Sequence, residues 1–279
     1  MIPGDAHIVL LSPDARYGIW EERLRLTGFV NEVILATDHN AVKNPDICFY
    51  ITGDQSDQHI SGVIKNLIRK QVHTFVIGNP ARFLDSAGSL ATLSEEAGAL
   101  LHFSLWGLYQ PGLRTLVQHI RKPEIIHFDR TLRYNSDGVE SSPEMIPNEL
   151  LLAAVLNPSP VADIHFRKTT DAVSVSLVYT NRSISTLIIR HDISPGIRRT
   201  VFGQDVYGEQ LVTANDKSWR LVKNGKNVLE KSDAITLPAD EMITSFLKSV
   251  RGMIADPVAD IQQLRRLRPL DRLMKRVGI

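Results

Sequence analysis

The chain has 279 residues, 43% of them hydrophobic and 23% charged, enough apolar material for a substantial core in two domains or one large one. A formal net charge of +1 leaves no broad electrostatic footprint for nucleic acid or a membrane surface. No apolar run approaches the roughly 18 residues that cross a bilayer, and the N-terminus lacks the basic and hydrophobic regions of a signal peptide, so a cytoplasmic protein is expected.

The first half alternates two periodicities. His7 to Leu11 reads as a strand, Gly18 to Leu26 as a helix and Glu32 to Thr37 as a strand. Ile47 to Thr52 is a nearly continuous apolar run, the pattern of a parallel strand covered on both faces. The single cysteine, Cys48, falls inside it, which excludes an intrachain disulfide and reads as a buried core thiol. Ile60, Val63, Ile64, Leu67 and Ile68 then repeat at the spacing of a packed helix face, with Ser56 or Asp57 available as cap. Thr74 to Ile77, Asp85 to Ala97 and Leu100 to Leu105 continue as strand, helix and strand. Such alternation predicts a doubly wound parallel sheet. Pro111, at a favourable first-turn position, opens a helix with Leu113, Leu116, Val117 and Ile120 on one face.

Beyond about residue 122 the grammar becomes a run of strands, so the predicted domains are 1–121 and 122–279. Ile125 to Arg133 is the first strand, followed by a short helix around Asn148 to Leu156. Val173, Val175, Leu177 and Tyr179 alternate with Ser174, Ser176 and Val178, as in an antiparallel sheet with unlike faces. Ser183 to Arg190, Arg199 to Phe202, Glu209 to Thr213 and Trp219 to Val222 add strands, with a hairpin turn at Asn224-Gly225. Helices Asp240 to Met253 and Val258 to Arg276 finish the chain, and Pro269 is expected to break or kink the second. The predicted fold class is α/β plus α+β: an abbreviated Rossmann-like parallel sheet followed by a mainly antiparallel sheet with helices.

Thr52-Gly53-Asp54-Gln55-Ser56-Asp57-Gln58-His59, a helix, and then Val72-His73 entering a strand that ends in Pro80 resembles the Gfo/Idh/MocA oxidoreductase family. There a strand ends in Thr-Pro-Asn, a histidine opens a helix, and a second strand leads from Gly-Lys-His-Val to Glu-Lys-Pro. Leu108-Tyr109-Gln110-Pro111 resembles the family's Arg-Phe-x-Pro segment. Thr200-Val201-Phe202-Gly203 resembles its second-domain strand and Ser245-Phe246-Leu247 its late helix. The resemblance implies an NAD- or NADP-dependent oxidoreductase acting on a sugar- or cyclitol-like compound. It places Ser12, Arg16, Asp38 and Thr52 beside the cofactor and His59, Asn79 and Tyr109 near the substrate, and it implies a homodimer. The apolar face along Val173 to Ile189 also motivates the dimer.

Four departures from the family pattern stand out. Gly78 and Asn79 replace the Glu and Lys of Glu-Lys-Pro, and an amide is neither acid nor base near neutral pH. The plain alternative is a strand-end turn. Ser12-Pro13-Asp14-Ala15-Arg16-Tyr17-Gly18 stands where a Gly-x-Gly-x-x-Gly loop would cradle a pyrophosphate, and Asp14 adds like charge. Asp38 sits about 20 residues beyond Gly18, where a ribose-binding acid belongs, although Asp38-His39-Asn40 also favours a bend. Only Asn40 to Asp46 separates that strand from Ile47, where the family inserts a helix and strand. The second-domain helix supplies Glu149 but no histidine.

The nine histidines are dispersed and show no metal spacing, so no metal is expected. His59 could contact a ligand or be a solvated helix-start residue, and His73 reads as a local hydrogen-bonding or packing group. No Gly-x-Ser-x-Gly elbow or phosphate-binding Gly-x-x-x-x-Gly-Lys loop is present. The basic C-terminal stretch Arg265 to Arg276, interleaved with Leu264, Leu267, Leu270 and Leu273, reads as a docked helix with a solvated face. Two functions from different classes follow: an oxidoreductase with degraded machinery, or a noncatalytic descendant that binds a small-molecule ligand or a partner, with no nucleic acid and no membrane involved.

Overall fold

Strands with no polar side chain on either face must be covered on both, and this rule builds the first unit. The computed structural model describes residues 6–28, 32–40, 45–110, 112–133, 145–192, 194–213, 217–232, 238–253 and 260–279. Five strands, β1 (Ile8–Leu11), β2 (Val33–Ala36), β3 (Ile47–Ile51), β4 (His73–Ile77) and β5 (Leu101–Phe103), form a parallel sheet in the order β2-β1-β3-β4-β5. Helices α1 (Gly18–Leu26), α2 (Asp57–Arg69) and α3 (Ala87–Ala97) connect them.

Helix α2 shows how pattern becomes packing. Ser56 caps it by accepting the His59 backbone N–H, and Ile60, Val63, Ile64, Leu67 and Ile68 are all buried. Each such side chain contributes about 1.5–3 kcal/mol relative to exposure. Helix α1 is a contrast: Leu24 is its only buried residue, and Ile19 and Leu26 stay exposed. Strand β2 is likewise half covered, with Ile34 and Leu35 exposed. It has no outer neighbour among the described residues, in keeping with the short link from Asp38 to Ile47.

Two late helices follow, α6 (Pro238–Val250) and α7 (Ile261–Arg276). The chain divides into two compact units, Met1–Trp106 with Leu237–Arg268, and Gly107–Thr236 with Pro269–Ile279. The strand grammar changes at about residue 122, whereas this division falls at Trp106/Gly107. Helix α6 therefore returns to the first unit, where Phe246 packs against Phe49 and Phe75 with ring centroids 5.5 and 5.3 Å apart. Arg23 of α1 pairs with Asp240 of α6 at 3.5 Å.

Pro269 does not break α7, which is helical from Ile261 to Arg276. Pro269 is exposed, so water can serve the Arg265 carbonyl left without a donor. Leu264, Leu267 and Leu270 are buried and Arg265, Arg268 and Arg272 exposed, which makes α7 a docked helix with a charged face. The predicted start at Val258, like the Pro111 helix start, lies outside the described residues.

The second unit contains α4 (Leu113–His119), β6 (Pro123–Arg133), α5 (Met145–Leu156) and strands β7 (Val161–Lys168), β8 (Ala172–Tyr179), β9 (Ile184–Asp192), β10 (Gly196–Gly203), β11 (Val206–Thr213), β12 (Lys217–Lys223) and β13 (Lys226–Ser232). Their order is β13-β12-β11-β10-β6-β9-β8-β7, antiparallel except for β6 with β9. Strand β7 escapes sequence reading because it lies at the sheet edge and buries only Ile164. The face Val173 to Ile189, offered above as a dimer surface, is instead core: Val173, Val175, Leu177, Leu187 and Ile189 are buried. Helix α5 packs on that sheet, and the Tyr179 hydroxyl donates to the Ala153 carbonyl at 3.2 Å.

At the centre of this unit Arg199, 1% exposed, donates to both Glu149 oxygens at 3.1 and 3.2 Å. It also donates to Gln210 at 3.1 Å and to Gln110, and it lies over the Phe128 ring. Arg130 adds a second bond to Glu149 at 2.8 Å. Glu149 is thus an interior anchor. Removing one member of a buried pair strands the other charge, so Arg199→Met is expected to destabilise the protein by about 3 kcal/mol, with the loss reduced in Arg199→Met/Glu149→Gln. Urea denaturation of both variants measures this.

Candidate functional site

In an open parallel sheet, ligands settle where the chain reverses direction outside the carboxyl ends of the strands. Here the chain leaves β1 for β2 on one side and returns to β3 on the other. A cavity of about 320 Å³ lies at that reversal. Leu11, Pro13, Val63 and the Tyr50 ring give it apolar walls, and Asp38, Gln55 and His59 stand among its polar lining. Two of the predicted residues, Asp38 and His59, are thereby brought to one cavity.

Each is held by local chemistry. One Asp38 carboxylate oxygen accepts the Asn40 N–H at 2.9 Å and lies 3.3 Å from His39 Nδ1, so the predicted bend and a carboxylate at the cavity coexist. His39 in turn lies 3.4 Å from Asn66 Nδ2 on α2. His59 is exposed on the first turn of α2. Burial pushes the Tyr50 hydroxyl well above the ordinary phenol range, so it remains a donor and bonds Gln55 Oε1 at 3.0 Å.

The turn after β1 closes on itself. Buried Ser12 accepts the Arg16 N–H on its hydroxyl at 3.0 Å and the Ala15 N–H on its carbonyl at 3.0 Å. Ala15 adopts a φ of 53°. The Asp14 carboxylate lies so close to Gly53 that any Cβ there would collide with it. Arg16 is exposed and 4.0 Å from Asp54. A pyrophosphate needs free backbone N–H groups and a bare approach; here two of those donors are spent on Ser12 and a carboxylate occupies the approach. The residues present do not fit a dinucleotide's phosphates.

Thr52 and Asn79 end the neighbouring strands. Thr52, 2% exposed, donates its N–H to Ile77 at 3.0 Å and presses its side chain against Gly78, leaving no room for a Cβ. Gly78 donates its N–H to the Ser104 hydroxyl at 3.0 Å, and that hydroxyl donates to the Gly78 carbonyl at 2.9 Å. Asn79 accepts the Ala81 N–H at 2.9 Å and caps the short 3-10 turn Pro80–Phe83. Its carbonyl is committed to backbone structure, as the strand-end alternative expects. Arg82 bonds Asp57 at 2.7 Å and the carbonyls of Gly53 and Gln55, fixing the β3–α2 loop. Tyr109 belongs to the second unit and is 2% exposed.

Sequence reading missed Ser104, Arg82, Tyr50 and Gln55. Arg82 and Ser104 act across 25 or more residues of chain, and no local pattern announces that. Tyr50 lay in view as the polar tip of an apolar strand. Among the described residues no group of three or more His, Cys, Asp or Glu could hold a metal, and no helix is long and apolar enough to cross a membrane.

No protein-family profile and no curated protein matches the chain. Solved structures do. UDP-N-acetylglucosamine 3-dehydrogenase GnnA from Acidithiobacillus ferrooxidans aligns with a TM-score of 0.77 at 15% identity, covering 100% of this chain and 98% of that one. Biliverdin reductase from Synechocystis sp. PCC 6803, in complex with biliverdin and NADP+, gives 0.68 at 12% over 98% and 99%. Aldose-aldose oxidoreductase from Caulobacter crescentus, complexed with glycerol, gives 0.69 at 10% over 99% and 98%. At these identities the likeness establishes the fold: a parallel-sheet domain joined to a mostly antiparallel one, the arrangement the Gfo/Idh/MocA resemblance implied.

His73, the second histidine of the motif, is structural. Its Nδ1 accepts the Leu100 N–H at 3.0 Å. Burial lowers its pKa below 6.5, partly opposed by Asp46. Because protonation is disfavoured in the folded state, His73 contributes stability that is complete above about pH 6.5 and lost as pH falls below that value. An asparagine at this position would retain an acceptor without titrating. Thermal midpoints measured from pH 7.5 to 5 should fall less steeply for His73→Asn than for the parent.

Proposed function

We propose that the chain is a divergent member of the Gfo/Idh/MocA oxidoreductase family that binds a hydroxyl-bearing compound of the sugar or cyclitol class at the carboxyl edge of its parallel sheet, with hydride-transfer machinery degraded. The observation that carries this reading is Asn79: it stands at the family's lysine position as a turn cap, its oxygen on the Ala81 N–H. Oxidising a hydroxyl requires a group that takes its proton, and an amide cannot. Gly78 supports the same reading, because the glutamate expected there has no space beside Thr52.

A second reading, NAD(P)-dependent turnover of a sugar-like substrate, draws support from Asp38 at the cavity, where a ribose-binding acid belongs, and from the oxidoreductases that share the fold. In that reading Ser12, Arg16 and Thr52 flank the cofactor and His59, Asn79 and Tyr109 the substrate. The two readings separate in one assay. Incubated with NAD+ or NADP+ and a panel of aldoses, cyclitols and sugar nucleotides, the protein and its Asn79→Lys variant should show no growth of reduced-nicotinamide absorbance. Turnover by the parent above the no-enzyme rate would establish the second reading and remove the first.

We infer also that the chain forms a homodimer. Phe202, Ile125 and Ile184 sit opposite one another on β10, β6 and β9 and are 40%, 48% and 41% exposed, an exposed apolar row across three neighbouring strands. Light scattering at micromolar concentration should give twice the 31.2 kDa chain mass and close to the single-chain value for Ile125→Glu. A parent of monomeric mass would overturn the dimer.

A further inference from the structure

The parallel sheet has two edges, and the chain treats them differently. At β5 the edge is closed: Leu101, His102 and Phe103 are buried, and His102 forms a β-bridge with Asp260. At β2 it is open. Among the described residues nothing pairs with the outer side of that strand, and Ile34 and Leu35, on opposite faces of it, are each 40% exposed. Edge strands are commonly guarded against foreign pairing by lysine, proline or a bulge, and Val33-Ile34-Leu35-Ala36 carries none of these. Helix α1, packed against β2, adds exposed Ile19 and Leu26, two turns apart on one helix face. Among the described residues, these four together with Trp106 and Met253 are the large apolar side chains that the first unit exposes.

The backbone fixes how a strand would add. Ala36 turns its carbonyl to β1, where it accepts the Ser12 N–H at 2.9 Å. By the alternation of a strand Ile34 also faces β1, while Val33 and Leu35 point their N–H and C=O groups outward. A second β2 brought up by a twofold axis normal to the sheet runs antiparallel, and that symmetry sets residues of the same face opposite one another. The register with Ile34 on the axis satisfies both conditions. In it Val33 and the partner's Leu35 exchange both N–H···O bonds, the two Ile34 side chains meet as the close, non-hydrogen-bonded pair, and Glu32 lies opposite the partner's Ala36. With Leu35 on the axis, Glu32 would face the partner's Asp38, a like-charge pair; with Val33 there, the Glu32 carboxylate would lie on the partner's Ile34. One register therefore makes the strand complementary to itself without opposing like charges.

We propose that β2 is a self-association edge, through which two copies of the chain join by antiparallel β2–β2 pairing into one sheet continuous across the twofold. The contact belongs to the first unit and stands apart from the dimer inferred on the second sheet. A strand of four residues and a few half-exposed side chains fall short of the roughly 800 Å² per partner that a standard interface buries. The contact is accordingly weak and forms only as concentration rises. Twofold pairing consumes the open edge, so association through it stops at two copies.

Sedimentation of Ile125→Glu from micromolar to millimolar concentration tests this. Its mass is expected to climb from the single-chain value towards twice that value and to level there, and Ile34→Lys/Ile125→Glu to stay at the single-chain value throughout. In the parent, hydrogen exchange at the outward Val33 and Leu35 amides should slow several-fold over the same range while that of the Ile34 amide, which faces β1, stays unchanged, a readout that needs no variant to fold. A single-chain mass for Ile125→Glu at millimolar concentration would overturn the proposal. So would association that Ile34→Lys leaves intact, growth of Ile125→Glu beyond two copies, or exchange at Val33 and Leu35 indifferent to concentration. A parent of monomeric mass at micromolar concentration removes the second-sheet dimer alone, because the edge is read at higher concentration and at its own amides.

Discussion

A parallel sheet covered on both faces has to satisfy every backbone group at its carboxyl edge, and in this chain side chains do that work where a nucleotide-binding loop would leave the backbone free. Ser104 takes both polar groups of Gly78, Ser12 takes two N–H groups of the turn after β1, and Asn79 and Ser56 cap the turns that follow β4 and β3. Arg82 ties the β3–α2 loop with three bonds. Each bond stabilises the edge by about 1 kcal/mol. Together they use up donors that an anionic ligand would need. The order of the sheet edge and the scarcity of free backbone donors along it are consequences of one set of contacts.

The second unit solves a different problem. An eight-stranded sheet needs a covering layer, and α5, apolar from Leu150 to Leu156, provides it. The one charged residue of that helix, Glu149, is buried with it and compensated by Arg199 and Arg130. Such a pair contributes less to net stability than to fixing which helix face meets which strands. Glu149, supplied by the second-domain helix without the family's histidine, is in this unit an organiser of the core.

Much of this was legible in the sequence. The i, i+3, i+4 spacing of Ile60 to Ile68 placed α2, the unbroken apolar run Ile47 to Ile51 placed β3 among parallel neighbours, and Asn224-Gly225 placed a hairpin whose two central residues have φ of 50° and 72°. Analogy placed Asp38 beside a cofactor and His59 near a substrate; in the fold both line one cavity. The sheet-edge bonds were not legible, because Ser104 meets Gly78 and Arg82 meets Asp57 across long stretches of chain. Strand β7 was lost because an edge strand buries too little to leave a pattern. Val173 to Ile189 was read correctly as an apolar face; only its partner, α5, could not be seen from periodicity.

The return of α6 to the first unit has a consequence for biosynthesis. Phe246 completes the aromatic cluster with Phe49 and Phe75, and the first unit includes residues up to Arg268. The ribosome makes Trp106 well before Phe246, an interval on the order of 10 s at roughly 5–20 residues per second. Through that interval the parallel sheet lacks one of its covering helices, so the N-terminal unit finishes folding only after the antiparallel sheet between its two parts has been synthesised. The order of emergence and the order of completion are reversed.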